Sequence, residues 1–257
     1  MTHSPLHIES IGHGKDIVML HGWGMNSGVF TPLQSELAHF RVHYVDLPGY
    51  GYSQSKSGNI NEWVKMIAEN TPKNSVWLGW SLGGLVAKTA ALHHPEHVKA
   101  LVTVASSPYF VAEPQNQWPG IDAKVLTTFA NQLNLDVKTV IERFLAIQAM
   151  GSETAKRDIK LLKEHVLSRP LPDKAALAQG LQFLQHVDLR EQLEHISQPW
   201  LRMWGRLDGL VPRHLPPKMP RHHGDVTDHV IKKASHAPFF SHPQEFSEAL
   251  LNWLKNL

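Results

Sequence analysis

A short apolar run that leads into the sequence Gly-Trp-Ser-Leu-Gly constrains the fold of this chain more than any other feature. The run at 75–79 has the composition of a buried strand, and the stretch at 82–93 has that of a helix. Ser81 therefore falls on a sharp strand-to-helix turn, where a Cβ on Gly79 or Gly83 would meet the neighbouring strand or helix. Such a turn strains the serine backbone and exposes its Oγ. The pattern predicts a nucleophilic serine, although it also arises by chance in glycine-rich turns.

Short apolar runs alternate with helical patterns along most of the chain. Strands are predicted at 6–9, 16–20, 42–46, 75–79, 100–105, 200–205 and 228–232. Helices are predicted at 29–39, 60–70, 82–93 and 243–254. Several of the strand segments are continuously apolar, which is typical of strands buried on both faces of a parallel sheet. This order predicts an α/β fold with a mostly parallel central sheet flanked by helices.

The alternation stops between residues 106 and 194, where no convincing strand pattern occurs. Apolar residues at helical spacing run from Val137 to Leu145, and a further helix is expected to begin with Ser152 as its N-cap. Insertions at the C-terminal edge of a parallel sheet usually cover the ligand crevice. We therefore predict an α/β core formed by 1–105 and 195–257, with 106–194 inserted as a helical lid. An ordinary helical subdomain packed elsewhere is the alternative.

A nucleophilic serine needs a base to accept its proton, and that base needs an orienting carboxylate. Both partners should follow strands later in the chain. Asp208 follows the predicted strand at 200–205, and His236 follows that at 228–232 and precedes the last helix. Each residue alone also fits a common loop role, since Asp-Gly is a frequent turn pair. Their order and positions together predict Ser81 as nucleophile, His236 as general base and acid, and Asp208 as its orienting partner.

An acyl-transfer site also needs two backbone N–H groups to hold the oxyanion. Leu82, directly after the nucleophile, should supply one of them. The loop after the strand at 16–20 reads His21-Gly22-Trp23-Gly24, and the N–H of Trp23 should supply the other. A plain glycine-rich connector is the alternative, and the position of the loop between a strand and a helix argues against it.

Composition excludes several classes of protein and site. The chain has 257 residues, a net charge of +2, 18 histidines and no cysteine. The near-neutral charge argues against a nucleic-acid binder, and the missing cysteines exclude disulfides and thiolate ligands. The histidines are scattered or lie in segments typical of a surface, so no metal site and no cofactor are expected. With neither a signal peptide nor an apolar run of membrane length, we expect a cytoplasmic monomer without membrane contact.

Further sequence segments narrow the class of hydrolase, and several of them lie in the predicted lid. They are 79–87, 100–108, 118–121, 142–146, 150–151, 187–190, 208–213 and 236–239. With these segments the chain resembles the α/β-hydrolases that cleave the methyl ester of pimeloyl-[acyl-carrier protein] in biotin synthesis. The resemblance spans nearly the whole chain. The matches within 106–194 are its specific part, because lids diverge quickly among hydrolases.

The resemblance implies a carboxylesterase that needs no cofactor and has acyl carrier protein as its partner. It assigns substrate contacts to Trp23, Ser81, Leu82, His236 and the consecutive residues Phe144, Leu145, Ala146, Ile147 and Gln148. It places carrier docking on Arg143, Lys156 and Lys160, because acyl carrier proteins are strongly acidic. The two lysines would meet an anion as point charges rather than as the bidentate fork of arginine.

Other functions remain open on the same residues. A lyase or carbon–carbon hydrolase could use the Ser81–His236 pair to abstract a proton, and a covalent acyl adduct on Ser81 would distinguish an esterase from it. A general short-chain esterase would share the mechanism but not the carrier-bound substrate. A ligand-binding protein without catalysis is a third class, and turnover of any ester would exclude it.

Overall fold

A seven-stranded sheet forms the centre of the computed structural model, which describes residues 4–133, 136–148, 155–219 and 225–257. The strands are β1 (Ile8–Ile11), β2 (Asp16–Leu20), β3 (Arg41–Val45), β4 (Ser75–Trp80), β5 (Val98–Val104), β6 (Trp200–Gly205) and β7 (Val226–Ile231). Their order across the sheet is β1-β3-β2-β4-β5-β6-β7. β1 pairs with β3 in the antiparallel sense, and the other neighbouring pairs are parallel. The predicted α/β fold with a mostly parallel sheet is confirmed.

The helices are α1 (Ile60–Asn70), α2 (Leu82–His93), α3 (Ala123–Gln132), α4 (Val137–Gln148), α5 (Ala155–Leu167), α6 (Lys174–His186), α7 (Pro238–Ser241) and α8 (Pro243–Leu254). α1, α2 and α8 begin and end where the sequence indicated. The start of α1 is fixed locally, because the Asn59 side chain caps the helix by accepting from the N–H groups of Asn61 and Glu62. Across the described residues, every helix falls short of the length and apolar character needed to span a bilayer.

The helix predicted at 29–39 is wrong in both its type and its length. The chain forms a 3₁₀ helix at Ser27–Leu33, followed by turns. Pro32 lies inside it and has no N–H to offer the carbonyl of Gly28. The hydroxyl of Thr31 donates to that carbonyl instead, at 2.7 Å. The apolar spacing of this segment therefore reflects packing against the core rather than a continuous α-helix.

The described part of the helical segment, residues 106–194, packs on the loops that follow the C-terminal ends of the strands. Trp23, after β2, donates its indole N–H to the carbonyl of Leu177 on α6 at 2.8 Å. Asn26 donates its side-chain amide to the carbonyl of Val166 on α5, also at 2.8 Å. The helical segment therefore lies against the edge of the sheet where Ser81 is found. The expected N-cap Ser152 and the resembling segment 150–151 lie outside the described residues.

Candidate active site

Ser81 occupies the turn between β4 and α2 in a strained conformation. Its φ is 54° and its ψ is −115°, a combination that residues with a side chain rarely adopt. Hydrogen bonds to neighbouring elements hold it there. The N–H of Ser81 donates to the Val104 carbonyl at 3.0 Å, and its carbonyl accepts from the N–H of Gly84 at 3.0 Å. The backbone around Ser81 is therefore fixed by both the sheet and the helix.

Glycines on either side of Ser81 allow the strand and the helix to approach each other closely. A Cβ on Gly79 would lie 2.2 Å from the carbonyl oxygen of Gly83. A Cβ on Gly83 would lie 2.2 Å from the carbonyl oxygen of Leu20, at the end of β2. Both contacts are with backbone, so neither can be relieved by rotating a side chain. Any other residue at these two positions would force the strand and the helix apart.

Gly83→Ala is expected to destabilise the fold by about 3 kcal/mol, because overpacking against backbone forces α2 away from the sheet. Urea unfolding followed by circular dichroism measures this change. Gly209→Ala is the matched control, because a Cβ at Gly209 has nothing within 4 Å. Its effect should stay within about 0.5 kcal/mol. Equal losses in the two variants would contradict the steric argument.

The structure brings the three predicted polar residues together in one hydrogen-bonded line. His236 Nε2 lies 3.0 Å from Ser81 Oγ, and His236 Nδ1 lies 2.8 Å from Asp208 Oδ2. The second carboxylate oxygen, Oδ1, accepts from the N–H groups of Leu210 at 2.8 Å and Val211 at 2.9 Å. The side chains of all three are almost fully buried. A hydroxyl, an imidazole and a carboxylate in this order can activate the hydroxyl as a nucleophile.

Two groups that the sequence did not indicate fix the backbone of His236. Its N–H donates to the carbonyl of Gln148, at the end of α4, at 3.1 Å. Its carbonyl accepts from the indole N–H of Trp80 at 2.8 Å, and the two rings lie 5.7 Å apart. Trp80 occupies the variable position before Ser81, where the motif sets no residue type. The Gln148 contact is made by the main chain, so no residue pattern could have predicted it.

The loop at residues 21–24 passes directly beside Ser81. A Cβ on Gly22 would lie 3.3 Å from the Cβ of Ser81. The side chains of Trp23 and Leu82 both approach Gly180 of α6. A Cβ on Gly180 would lie 2.8 Å from Trp23 Cδ1 and 3.2 Å from Leu82 Cδ2. Leu82 is the first residue of α2, so its N–H has no acceptor within the helix. The two residues predicted to bind the oxyanion are therefore neighbours at the nucleophile.

His21 supports this loop from inside the core, a role that the sequence did not reveal. Its Nε2 accepts from the N–H of Leu47 at 3.0 Å, and its Nδ1 lies 2.9 Å from the carbonyl of Gly22. An imidazole that accepts at one nitrogen and donates at the other is neutral. Burial lowers the pKa of His21 to about 4, against a smaller opposing effect of Asp46. The folded state therefore favours the uncharged form of His21.

This preference for the uncharged form predicts a loss of stability in acid. The unfolded chain binds a proton at His21 near pH 6.5, whereas the folded protein binds it only near pH 4. Between these values the unfolded state binds more protons, so the free energy of unfolding falls as the pH falls, by about 3 kcal/mol in total. Urea unfolding from pH 7.5 to pH 4 measures the change. His21→Gln keeps an acceptor without the titration, and an equally steep pH dependence in this variant would contradict the assignment.

The segment predicted to line the substrate channel is only partly turned towards the site. The Phe144 ring lies 4.8 Å from the Trp23 ring, edge on. Leu145 and Gln148 are also buried, whereas Ile147 is half-buried and Ala146 is exposed. Five consecutive residues of a helix point in all directions around its axis, so they cannot all face one cavity. Ala146 therefore does not share the buried face of α4 with Phe144.

The residues predicted to dock the carrier lie on the outer surface of the helical segment. Arg143 on α4 and Lys156 and Lys160 on α5 are exposed. Lys163, which continues the spacing of the two lysines, lies 3.2 Å from Glu142 of α4. This ion pair links α4 to α5 and reduces the charge that Lys163 offers to a partner. For a metal, the described residues contain no group of three or more histidine, aspartate and glutamate side chains that could hold one.

Comparison with known proteins supports this fold and identifies the family of the chain. The model of the alpha/beta hydrolase fold family matches residues 16–243. A protein of Shewanella oneidensis named pimeloyl-[acyl-carrier protein] methyl ester esterase is 60% identical, with 98% of this chain and 96% of that protein covered. A protein of the same name from Photobacterium profundum is 52% identical, with 95% and 96% covered. Among solved structures, an esterase from Exiguobacterium antarcticum has a TM-score of 0.86 at 23% identity, over 97% of this chain and 95% of that one. The likeness to that structure shows the fold alone.

Proposed function

Because the chain belongs to the alpha/beta hydrolase fold family and to the family of relatives named pimeloyl-[acyl-carrier protein] methyl ester esterase, we propose that it hydrolyses the methyl ester of pimeloyl-[acyl-carrier protein]. The products are pimeloyl-[acyl-carrier protein] and methanol. The observation that carries the proposal is identity of 60% over 98% of the chain, the helical segment included. The 3.0 Å contact between Ser81 Oγ and His236 Nε2 supplies the chemistry.

The first half of the proposed reaction forms an acyl-enzyme. Ser81 Oγ attacks the ester carbonyl carbon while its proton passes to His236 Nε2. Asp208 holds the Nδ1–H of the imidazole and stabilises the imidazolium that forms. The oxyanion of the tetrahedral intermediate accepts from the N–H groups of Trp23 and Leu82. His236 then returns the proton to the methoxy oxygen, the C–O bond breaks, and methanol leaves.

The second half releases the acid by the same steps with water as nucleophile. Water gives its proton to His236 and attacks the acyl carbon, and the same two N–H groups hold the new oxyanion. The bond to Ser81 Oγ breaks as His236 returns the proton to that oxygen. The carrier protein leaves with a free carboxyl group at the end of its pimeloyl chain, and Ser81 is restored.

In this proposal the helical segment at 106–194 is the lid over the acyl chain, and its outer surface binds the carrier. The contacts of Trp23 with Leu177 and with the Phe144 ring support this role, because Trp23 belongs to the loop beside Ser81. Phe144, Leu145 and Gln148 supply its inner lining, and Ala146 supplies none. The exposed charges of Arg143, Lys156 and Lys160 would attract an acidic carrier and speed its association.

Replacing Arg143, Lys156 and Lys160 together by glutamate is expected to lower kcat/KM for the carrier-bound ester by about 10- to 100-fold at low salt. The loss should shrink as salt rises, because salt screens exposed charges. Hydrolysis of p-nitrophenyl butyrate should change little. Steady-state assays on both substrates at several salt concentrations measure these effects.

A second triple variant controls for the change in total charge. Lys73, Lys99 and Lys255 are also exposed, and Lys73 and Lys99 lie by the N-terminal ends of β4 and β5, at the opposite edge of the sheet. Their replacement by glutamate changes the net charge equally and should leave the carrier-bound ester largely unaffected. Equal losses in the two triple variants would show that total charge matters and not the docking surface.

The physiological substrate is tested by growth. A biotin-requiring strain that lacks its own esterase of this type should grow without biotin when it expresses this chain, and should not grow with the Ser81→Ala variant. Absence of rescue by a well-expressed, folded wild-type protein would contradict the proposed substrate while leaving a general esterase activity open.

A further inference from the structure

A lysine is buried directly behind the nucleophile turn, where the proposed mechanism gives it no task. Lys88, on the second turn of α2, has a side chain that is 0% exposed. Its Nζ lies 2.8 Å from the Oγ of Ser106, which follows β5. Ser106 Oγ in turn lies 2.7 Å from the carbonyl oxygen of Ser81. Two hydrogen bonds therefore connect a buried amine to the backbone of the nucleophile.

The direction of both hydrogen bonds is fixed by chemistry. The Ser81 carbonyl can only accept, so the Ser106 hydroxyl donates its hydrogen to it. The Ser106 oxygen is then free to accept from Lys88. Burial lowers the pKa of Lys88 well below its usual value, and the charge of Arg202 lowers it further. Even a neutral amine retains N–H groups to donate, so the order of donation does not depend on its charge.

The carbonyl of Ser81 and the N–H of Leu82 belong to the same planar peptide unit and point in opposite directions. A hydrogen bond accepted at the oxygen orients this plane and polarises the N–H at its other end. We propose that Ser106, supported by Lys88, positions and polarises the Leu82 N–H as a donor to the oxyanion. This inference rests on the proposed function, because that function gives the Leu82 N–H its role.

The local packing supports a positioning role for Ser106. The Ser81 carbonyl also accepts from the N–H groups of Gly84 and Leu85, at 3.0 and 3.2 Å, but both belong to α2 and move with it. Ser106 follows β5, the neighbouring strand, so its bond ties the peptide plane to the end of that strand. The approach is close, because a Cβ on Gly84 would lie 2.5 Å from both Cβ and Oγ of Ser106.

Three variants separate this role from a purely structural one. Ser106→Ala leaves the Lys88 amine without the hydroxyl, so it should lower both stability and kcat. Lys88→Met should lower kcat by only about twofold, because the Ser106 hydroxyl still donates to the Ser81 carbonyl. The double variant Ser106→Ala/Lys88→Met removes both partners of the buried bond and should recover much of the stability. Its kcat should stay as low as that of Ser106→Ala, about five- to tenfold below wild type.

The test uses the full-length protein with p-nitrophenyl butyrate and a trifluoromethyl ketone, which forms an oxyanion on Ser81. In Ser106→Ala and in the double variant we expect KM to change little, while kcat and the affinity for the ketone fall together. Ser106→Thr keeps the hydroxyl and should retain both. Ser107→Ala is the matched control, because the Ser107 hydroxyl donates to the carbonyl of Tyr109 instead. Recovery of kcat along with stability in the double variant would overturn the inference. Absence of any ester turnover by the wild type would instead contradict the proposed function.

Discussion

Ser81→Ala is expected to lower the hydrolysis of p-nitrophenyl butyrate by about 10⁵- to 10⁶-fold, because it removes the nucleophile on which the other two groups act. The fold should persist, since the hydroxyl makes its described hydrogen bond to the loop residue His236 and the backbone bonds of the turn are untouched. Steady-state kinetics and thermal unfolding measure the two properties. Residual activity within tenfold of wild type would show that Ser81 is not the nucleophile.

Asp208→Asn is expected to lower kcat by about 10⁴-fold, the loss known for this change in a serine protease. The surroundings decide which way the new amide points. The N–H groups of Leu210 and Val211 require an acceptor, so they hold the amide oxygen where Oδ1 now lies. The amide NH₂ must then face His236 Nδ1 and force that nitrogen to accept. The proton moves to Nε2, which can no longer take one from Ser81.

The comparison for Asp208→Asn is Asp208→Ala, measured with the same ester. Alanine removes the orienting group but does not impose the wrong tautomer, so Asp208→Ala should retain at least as much activity as Asp208→Asn. Circular dichroism and urea unfolding establish that both variants are folded. Near wild-type activity in Asp208→Asn would contradict the role of the carboxylate.

The elements nearest the site follow most directly from the sequence. β4, the turn at Ser81 and α2 form one continuous stretch, and the steric limit on Gly79 acts against Gly83, which is close to it in the chain. The positions of Asp208 and His236 followed from the rule that polar residues after parallel strands meet at one edge of the sheet. The predicted bounds of α1 and α8 are also those observed, and their starts have local causes, the Asn59 cap and Pro243 in the first turn.

The remaining features depend on contacts between distant segments. The exception is the 3₁₀ helix at Ser27–Leu33, whose apolar pattern fits an α-helix, because Pro32 within it is a local cause. His21 and Lys88 gave no signal, because burial of a titratable side chain is a property of the assembled fold. The Ser106–Ser81 bond joins a side chain to the carbonyl of a distant turn. A residue pattern contains no information about such main-chain partners.

The proposed reaction is tested most directly by incubating the purified protein with the methyl ester of pimeloyl-[acyl-carrier protein] and measuring methanol and the carrier-bound acid. We expect the two products in equal amounts from the wild type, and neither from Ser81→Ala. With ethanol present, the wild type should also form the carrier-bound ethyl ester, because ethanol competes with water for the acyl-enzyme. Consumption of the substrate without methanol release, or methanol release that persists in Ser81→Ala, would contradict the proposed mechanism.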